Sequence, residues 1–104
     1  MDPQLKRGFG EACVLAMLAR GDSYGYQIVK DSPPSMQLTE STLYSVLRRL
    51  AKQGLLDEYT REHSGRLRKY YHLTDEGRAQ LEDFAAGTED IADVISYVKG
   101  SVEQ

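Results

Sequence analysis

The sequence predicts a fold of the α+β class that is mainly α-helical, and three features of the residue pattern predict it. Apolar residues recur every three or four positions over 4–19 and again over 74–99, as they do on one face of a helix. Over 55–73 the period falls to two, which is typical of β-strands. The pair Ser64-Gly65 interrupts that stretch as a turn would. A chain of 104 residues is long enough for one domain with one modest core.

The first two helices are delimited by glycine and proline. A helix is predicted over 4–19, and Gly21 ends it because glycine accommodates the left-handed exit from a helix. A second, short helix over 24–31 begins after Ser23, a favourable N-cap, and ends before Pro33-Pro34. A loop then leads to the third helix. The apolar stripe of the first helix repeats every fourth residue and comprises Leu5, Phe9, Cys13 and Met17.

The third helix has the clearest pattern in the sequence. Thr39 is a favourable N-cap, Glu40 suits the positive end of the helix dipole, and Gly54 closes the helix. Its apolar residues, at positions i, i+3, i+4 and i+7, are Leu43, Val46, Leu47 and Leu50. The opposite side carries a polar stripe made of Ser41, Ser45, Arg48 and Lys52, flanked by Thr42 and Arg49 on one side and by Tyr44 on the other.

Two strands, 55–63 and 66–73, are predicted to form a β-hairpin. Alternation in the second strand sends Arg66, Arg68, Tyr70 and His72 to one face and Leu67, Lys69, Tyr71 and Leu73 to the other. We assign Tyr71 and Leu73 to the core. Thr74 is a favourable cap for a last helix reaching about Lys99, which Gly87 is expected to loosen midway. The apolar face of this helix comprises Leu81, Phe84, Ala85, Ile91, Val94, Ile95 and Val98.

Charge is unevenly distributed along the chain, whose net charge is −3. Residues 41–72 hold seven Lys or Arg against three Asp or Glu, a net charge of +4. Residues 73–104 hold two against eight, a net charge of −6. Because salt screens charges beyond about 8–10 Å, the local charge at the contact surface decides whether phosphates bind. The basic centre of the chain is therefore compatible with a polyanionic partner.

Several classes of protein are not expected. No apolar run approaches the roughly 18 residues that span a bilayer, and no secretory leader is recognised, so we expect a cytoplasmic protein that does not bind membranes. His63 and His72 lack partners for a metal site. Cys13 lies on an apolar stripe and is predicted to be a buried, inert thiol, with a redox sensor as the alternative. Phosphate loops and nucleophile motifs are missing, so the sequence predicts neither an enzyme nor a cofactor.

The order of the elements predicts a helix-turn-helix followed by a wing. In that arrangement the third helix enters the major groove of DNA, where Arg48 reaches a guanine or a phosphate. The basic hairpin lies over the neighbouring backbone or minor groove. For Tyr44 and Tyr70, packing within the protein stays open as the alternative to DNA contact. The predicted DNA-binding residues are Thr39, Ser41, Thr42, Tyr44, Ser45, Arg48, Arg49, Lys52, Arg66, Arg68, Lys69 and Tyr70.

Three segments resemble the PadR family of transcriptional regulators. They are SYGYQIVK at 23–30, LTESTLYSVLRRLAKQGLL at 38–56 and GRLRKYYHLTDEGRAQL at 65–81, and the resemblance extends from Leu5 to about Val98. It implies a winged helix fold, a homodimer built from the first and last helices, and repression of transcription. The sequence departs from the common pattern at Ser45, where many members have proline, and at Tyr24, where histidine is common.

The resemblance also bears on ligands. Some small members of the family bind flat aromatic molecules between tryptophans at the dimer interface. This chain has no tryptophan, and Phe84 and Tyr97 are the candidates to replace them. The resemblance therefore implies that the protein binds a small aromatic effector in addition to DNA.

The sequence as a whole predicts one winged-helix domain over 1–104, with a DNA-binding part over 1–73 and a dimerisation helix over 74–100. The expected function is that of a homodimeric repressor that binds double-stranded DNA at a pseudo-palindromic operator. The alternative is a protein-interaction module whose acidic last helix binds a partner protein. The predicted dimer interface comprises Leu5, Phe9, Leu81, Phe84, Ile91, Val94, Ile95 and Val98.

Overall fold

The structure, a computed structural model, describes residues 3–103 and the side chains of residues 9–103. Leu5, predicted at the dimer interface, therefore has its side chain outside the described part. The α+β fold with a large helical share is confirmed: four α-helices and one three-stranded sheet form the described chain. The elements are α1 (Pro3–Ala19), β1 (Ser23–Tyr24), α2 (Gly25–Asp31), a 3₁₀ turn (Pro34–Met36), α3 (Glu40–Lys52), β2 (Leu56–His63), β3 (Arg66–Leu73) and α4 (Asp75–Val102).

The start of α2 differs from the prediction. Ser23 does not cap the helix but lies in β1, where it pairs with Tyr71 of β3. Tyr24 occupies the N-cap position with extended backbone and makes no side-chain capping bond. The reason is that β3 has an edge left open by β2, and two residues of the chain entering α2 cover it.

Helix α3 forms as its sequence predicts. The hydroxyl oxygen of Thr39 accepts a hydrogen bond from the backbone N–H of Thr42 at 3.3 Å, which satisfies one of the free donors of the first turn. Gly54, with φ of +77°, follows the end of the helix in a conformation that favours glycine. The apolar side of α3 is buried and supplies Leu43, Val46, Leu47 and Leu50 to the core.

The sheet has the order β1-β3-β2 and is antiparallel throughout. Ser64 and Gly65 form the two-residue turn of the hairpin with φ of +52° and +80°, as a primed turn requires. Tyr71 and Leu73 are buried, as predicted, whereas Leu67 on the same face is exposed because the tip of the hairpin extends past the core. The strand before the turn starts one residue later than predicted, at Leu56.

Helix α4 is fixed to the α3–β2 turn by its first residues. Thr74 caps the helix by accepting from the N–H of Gly77 at 3.0 Å, and its hydroxyl donates to the carbonyl oxygen of Gly54 at 2.8 Å. Gly77 is packed so tightly that a Cβ there would overlap the carbonyl oxygen of Leu55. The helix then runs without a break through Gly87 to Val102, three residues beyond the predicted end.

The core lies where α1, α2 and α3 pack against the inner face of the sheet. Its buried members are Val14, Leu15, Leu18, Ile28, Leu43, Val46, Leu47, Leu50, Leu56, Tyr71 and Leu73. Burial raises the pKa of Tyr71 to about 12, so this phenol stays neutral in the core. The C-terminal half of α4 lies outside this core and is exposed throughout.

Candidate nucleic-acid interface

The polar stripe of α3 faces solvent along its whole length. Ser41, Ser45, Arg48 and Lys52 are all exposed, on the side of the helix opposite the core. The guanidinium of Arg48 donates to the hydroxyl of Ser45 at 3.4 Å, so the arginine lies along the stripe. At the N-terminal end Thr39 and Thr42 are also exposed, and the hydroxyl of Thr39 donates to that of Thr42 at 3.0 Å. These side chains are free to meet an incoming surface.

Tyr44 flanks the stripe on the side of α2. Its hydroxyl lies against Gly25, where a Cβ would come within 2.7 Å of the phenolic oxygen. The side chain nevertheless remains 40 % exposed. Both interpretations of Tyr44 are therefore compatible with its position, since it packs against the start of α2 and still presents part of its ring to solvent.

Arg49 lies on the opposite flank, and its guanidinium is turned away from the stripe. Its Nε donates to a carboxylate oxygen of Glu11 on α1 at 2.5 Å. The two residues are 38 positions apart in sequence, so no local pattern could have indicated the pair. Among the predicted basic residues of α3, Arg49 thus has its side chain directed towards another helix.

Strand β3 of the hairpin contributes three basic side chains in different settings. Arg66 is exposed beside the turn. The guanidinium of Arg68 lies over the ring of Tyr24 at 4.3 Å, and its Nη1 is buried with no hydrogen-bond partner among the described residues. Lys69 approaches Glu58 of the neighbouring strand at 3.6 Å, a loose ion pair that leaves its ammonium exposed.

Tyr70 belongs to a tyrosine cluster formed by Tyr24, Tyr59 and Tyr70 on the outer face of the sheet. Its ring is stacked on Tyr59 with centroids 5.6 Å apart and meets Tyr24 edge-on at 5.4 Å. Packing within the wing is therefore what the structure shows for Tyr70. The cluster crosses all three strands, and it holds β1 to the hairpin.

A hydrogen-bonded group fixes the same face of the sheet to the turn after α1. The hydroxyl of Tyr59 donates to Asp22 at 2.7 Å, and Nδ1 of His72 lies 2.7 Å from the other carboxylate oxygen. The bond from Tyr59 lowers the pKa of Asp22, and the same bond raises the pKa of Tyr59. His72 thus has a partner in the fold. Within residues 9–103 no group of three metal-ligating side chains comes together.

A cleft of about 280 Å³ opens between the start of α2, the start of α3 and β3. Of the residues around this cleft, Tyr44, Arg68 and Lys69 were predicted from the sequence to contact DNA. Tyr24 and Tyr26, which complete the cleft, were not predicted. Both tyrosines lie in the segment SYGYQIVK at 23–30, and the resemblance of this segment to the PadR family could have indicated them. The side chains around the cleft are Tyr24, Tyr26, Glu40, Tyr44, Arg68 and Lys69, with Gly25 between the first two.

The predicted dimer residues fall into two groups. Phe9 and Phe84 pack against each other within the chain, edge to face, with centroids 5.5 Å apart. Leu81 is partly buried against the core. Four others lie away from the core and are 45–62 % exposed: Ile91, Val94, Ile95 and Val98. Cys13 on α1 is half-buried, and burial raises the pKa of its thiol, which favours the inert form.

The described helices include none that is both long enough and apolar enough to cross a bilayer.

A helix-turn-helix followed by a basic antiparallel hairpin defines the winged-helix class of proteins. Residues 14–83 match the transcriptional regulator PadR-like family. The chain therefore belongs to the PadR-like family, whose members are transcriptional regulators and not enzymes.

The chain is also similar to individual proteins over most of its length. An uncharacterised protein from Lysinibacillus sphaericus is 30 % identical over 102 residues, which cover 93 % of this chain and 94 % of the relative. A transcriptional regulator from Clostridium thermocellum has a similar structure, with a TM-score of 0.81 and 32 % identity over 92 % of this chain and 95 % of that one. Bacillus subtilis PadR, solved in complex with operator DNA, matches 72 % of this chain and 45 % of its own length, with a TM-score of 0.63 and 27 % identity.

Proposed function

We propose that this protein is a homodimeric repressor that binds double-stranded DNA in a sequence-specific way. The observation that carries the proposal is the polar stripe of α3, which lies exposed beside a basic wing. A helix with short hydroxyl side chains at Ser41, Thr42 and Ser45 can approach the base edges closely in the major groove. The complex of Bacillus subtilis PadR with operator DNA supports this choice of partner.

Within this surface the stripe and the wing have different roles. Arg48 is the candidate for base readout, because it lies along the stripe and its planar donors match the acceptors of a guanine. Lys52, Arg66 and Lys69 are exposed cations suited to phosphate contacts, which give affinity and register. Thr39 lies at the start of the same surface, and Tyr70 supports the wing from its outer face.

We propose that the cleft beside Tyr44 binds one phosphate of the DNA backbone. Arg68 lines it, and a guanidinium is a charged donor that suits a phosphate oxygen. Lys69 and Tyr44 line the same cleft. Glu40 lies on its rim and opposes anion binding there, so the cations must outweigh one carboxylate.

The homodimer is proposed from the uncovered apolar face of α4. With about 100° of rotation per residue, Phe84, Ile91, Ile95 and Val98 fall on one side of the helix. Glu89 and Asp93 fall on the opposite side, so the acidic charge of the helix would not obstruct pairing of the apolar faces. We propose a second copy of this chain as the partner, with 1–73 as the DNA-binding part and 74–100 as the dimerisation helix of one domain over 1–104.

The remaining parts of the proposal are the cellular location of the protein and the control of its DNA binding by a ligand. The relatives named above are bacterial, so the proposed place of action is the bacterial cytoplasm. We propose that a small aromatic effector binds beside Phe84 at the paired α4 helices and relieves repression. By the same rotation, Tyr97 falls on the acidic side of the helix with Asp93. A thermal-shift screen with planar aromatic compounds and phenolic acids tests this part, and no stabilisation by any of them would remove it.

The test of the proposed function is selection of duplexes from a randomised pool by the purified protein. A dimeric reader predicts a two-fold symmetric motif whose half-sites are about 10 base pairs apart. Ile95→Asp should give monomers in analytical ultracentrifugation and lose the selected duplex, whereas Ser96→Asp, on the acidic side, should leave both intact. A dimer that selects no sequence and ignores duplexes at low salt would favour the protein-interaction module instead.

A further inference from the structure

Two adjacent arginines of α3 have different partners. Arg48 donates to Ser45 within its own helix, at 3.4 Å and on the exposed stripe. Arg49 donates through Nε to Glu11 of α1, and both side chains of this pair are only partly exposed, at 48 % and 36 %. The cation of Arg49 therefore already has a carboxylate partner, which a phosphate would have to displace.

Glu11 lies where three helices meet. Two residues before it on α1, Phe9 packs edge-on against Phe84 of α4. A cavity of about 90 Å³ beside Glu11 is lined by residues of α1, α3 and α4 and of the α3–β2 turn. These are Ala12, Leu15, Leu50, Leu55, Gln80 and Phe84. The pair Glu11–Arg49 thus connects α3 to α1, next to the place where α1 packs against α4.

We infer that Arg49 is a positioning residue that, through Glu11, sets the rotation of α3 about its own axis, and that it does not contact DNA. This inference rests on the proposed function, since the consequence of the rotation is the placement of the polar stripe in the groove. The proposed partner is still double-stranded DNA. Arg49, which the sequence predicts to contact DNA, is instead assigned the role of positioning α3.

The physical reason is the shape of the contact between α3 and the core. The buried side of α3 is aliphatic, and aliphatic contacts are not directional, so they oppose a small roll of the helix only weakly. Side chains end about 5–6 Å from a helix axis, so a roll of about 15° moves their ends by about 1.5 Å. Hydrogen bonds to base edges tolerate only about 0.5 Å. An ion pair on one flank of α3 limits this roll.

The first experiment measures affinity for the selected duplex at several salt concentrations in Arg49→Gln and Glu11→Gln. Loss of a partly exposed ion pair should weaken binding roughly two- to fivefold in both variants. The dependence of log K on log salt should stay as in the wild type, because no phosphate contact is lost. Arg78→Gln, which removes an exposed cation from α4, is the matched control and should leave binding unchanged.

A direct phosphate contact by Arg49 predicts a different pattern. Arg49→Gln would then flatten the salt dependence by about one unit for each half-site, and Glu11→Gln would strengthen binding by releasing the cation. Either result overturns the inference. So does wild-type affinity in both variants.

The charge reversal provides a second and independent test. Arg49→Glu and Glu11→Arg alone each bring like charges together and should weaken binding, whereas the double variant restores the pair and should return to within about twofold of wild type. If the double variant binds no better than Arg49→Glu, the inference fails. Circular dichroism at each step shows that the variants are folded. Failure of the wild type to bind any duplex would overturn the proposed function and this inference together, and is thereby distinguished from failure of the inference alone.

Discussion

The hydroxyl of Tyr44 and the backbone of Gly25 are in such close contact that a methyl group on Gly25 would lie 2.7 Å from the phenolic oxygen. The contact joins the first residue of α2 to the second turn of α3, and these are the two helices of the helix-turn-helix. A side chain larger than hydrogen at position 25 must therefore displace the tyrosine from the edge of the cleft.

Gly25→Ala should destabilise the protein by about 1–3 kcal/mol, as expected of overpacking. Tyr44→Phe in the same chain should recover part of this loss, because it removes the atom nearest the added methyl. Urea unfolding at one fixed protein concentration measures both effects. Additive losses in the double variant would show that the two residues do not compete for the same space.

Arg48→Ala should weaken binding of the selected duplex by about 1–3 kcal/mol and relax preference at one base pair. The reason is that Arg48 lies on the exposed stripe, where its hydrogen-bond partner among the described residues is Ser45. Competition titrations against duplexes substituted at each position measure the change. Equal loss on every sequence would show that Arg48 contacts the backbone only.

Lys69→Ala should lower affinity on all duplexes alike and flatten the salt dependence by about one unit per half-site. Its ion pair with Glu58 is long, at 3.6 Å, and half exposed, so a phosphate can replace the carboxylate at little cost. Titrations at three or more salt concentrations give the slope. A slope that remains at the wild-type value would exclude Lys69 from the contact surface.

Gly77→Ala should destabilise the fold by about 3 kcal/mol or more, because the added methyl meets the backbone of Leu55, which cannot rotate away. Gly87→Ala is the matched control in the same helix, since nothing lies within 4 Å of its Cβ position. The control should stabilise the helix by about 0.5–1 kcal/mol. Similar unfolding midpoints for both variants would contradict the close approach of α4 to the α3–β2 turn.

The pH dependence of stability should include a contribution from Asp22. The hydrogen bond from Tyr59 lowers the pKa of this carboxyl in the folded state. Its contribution is therefore present above the unfolded value of about 4 and is lost as the pH falls through the lower folded value. Urea midpoints between pH 7 and pH 3 should fall less steeply in Asp22→Asn than in the wild type, with Asp57→Asn as the control. Parallel curves for wild type and Asp22→Asn would refute the contribution.

Most of the fold was predictable because its signals are local. Helix α3 combines a capping threonine with an uninterrupted apolar period, and the turn at Ser64-Gly65 carries the residue types that the hairpin requires. The two-residue strand β1 was missed for the opposite reason. Ser23 resembles a cap when it is considered alone, but the open edge of β3, almost 50 residues later, determines its conformation.

The candidate site was predictable to a similar degree. The exposed stripe of α3 followed from its period alone, whereas the turn of Arg49 towards Glu11 depends on a contact between distant parts of the chain. The same is true of Tyr70, whose alternation in β3 indicates a face but not the two tyrosines that cover its ring. The apolar period and the residue types thus predict which surface is exposed. The role of each residue on that surface depends on contacts between distant parts of the chain.

The central claim is that α3 and the wing of a dimer recognise DNA, and a fluorescence-anisotropy titration tests it most directly. The selected duplex and a scrambled duplex of equal length and composition are titrated in parallel at low and moderate salt. We expect binding of the selected duplex to be tighter by about a thousandfold or more, with two protein chains per duplex. Equal affinity for the two duplexes, or no binding to either at low salt, would contradict it.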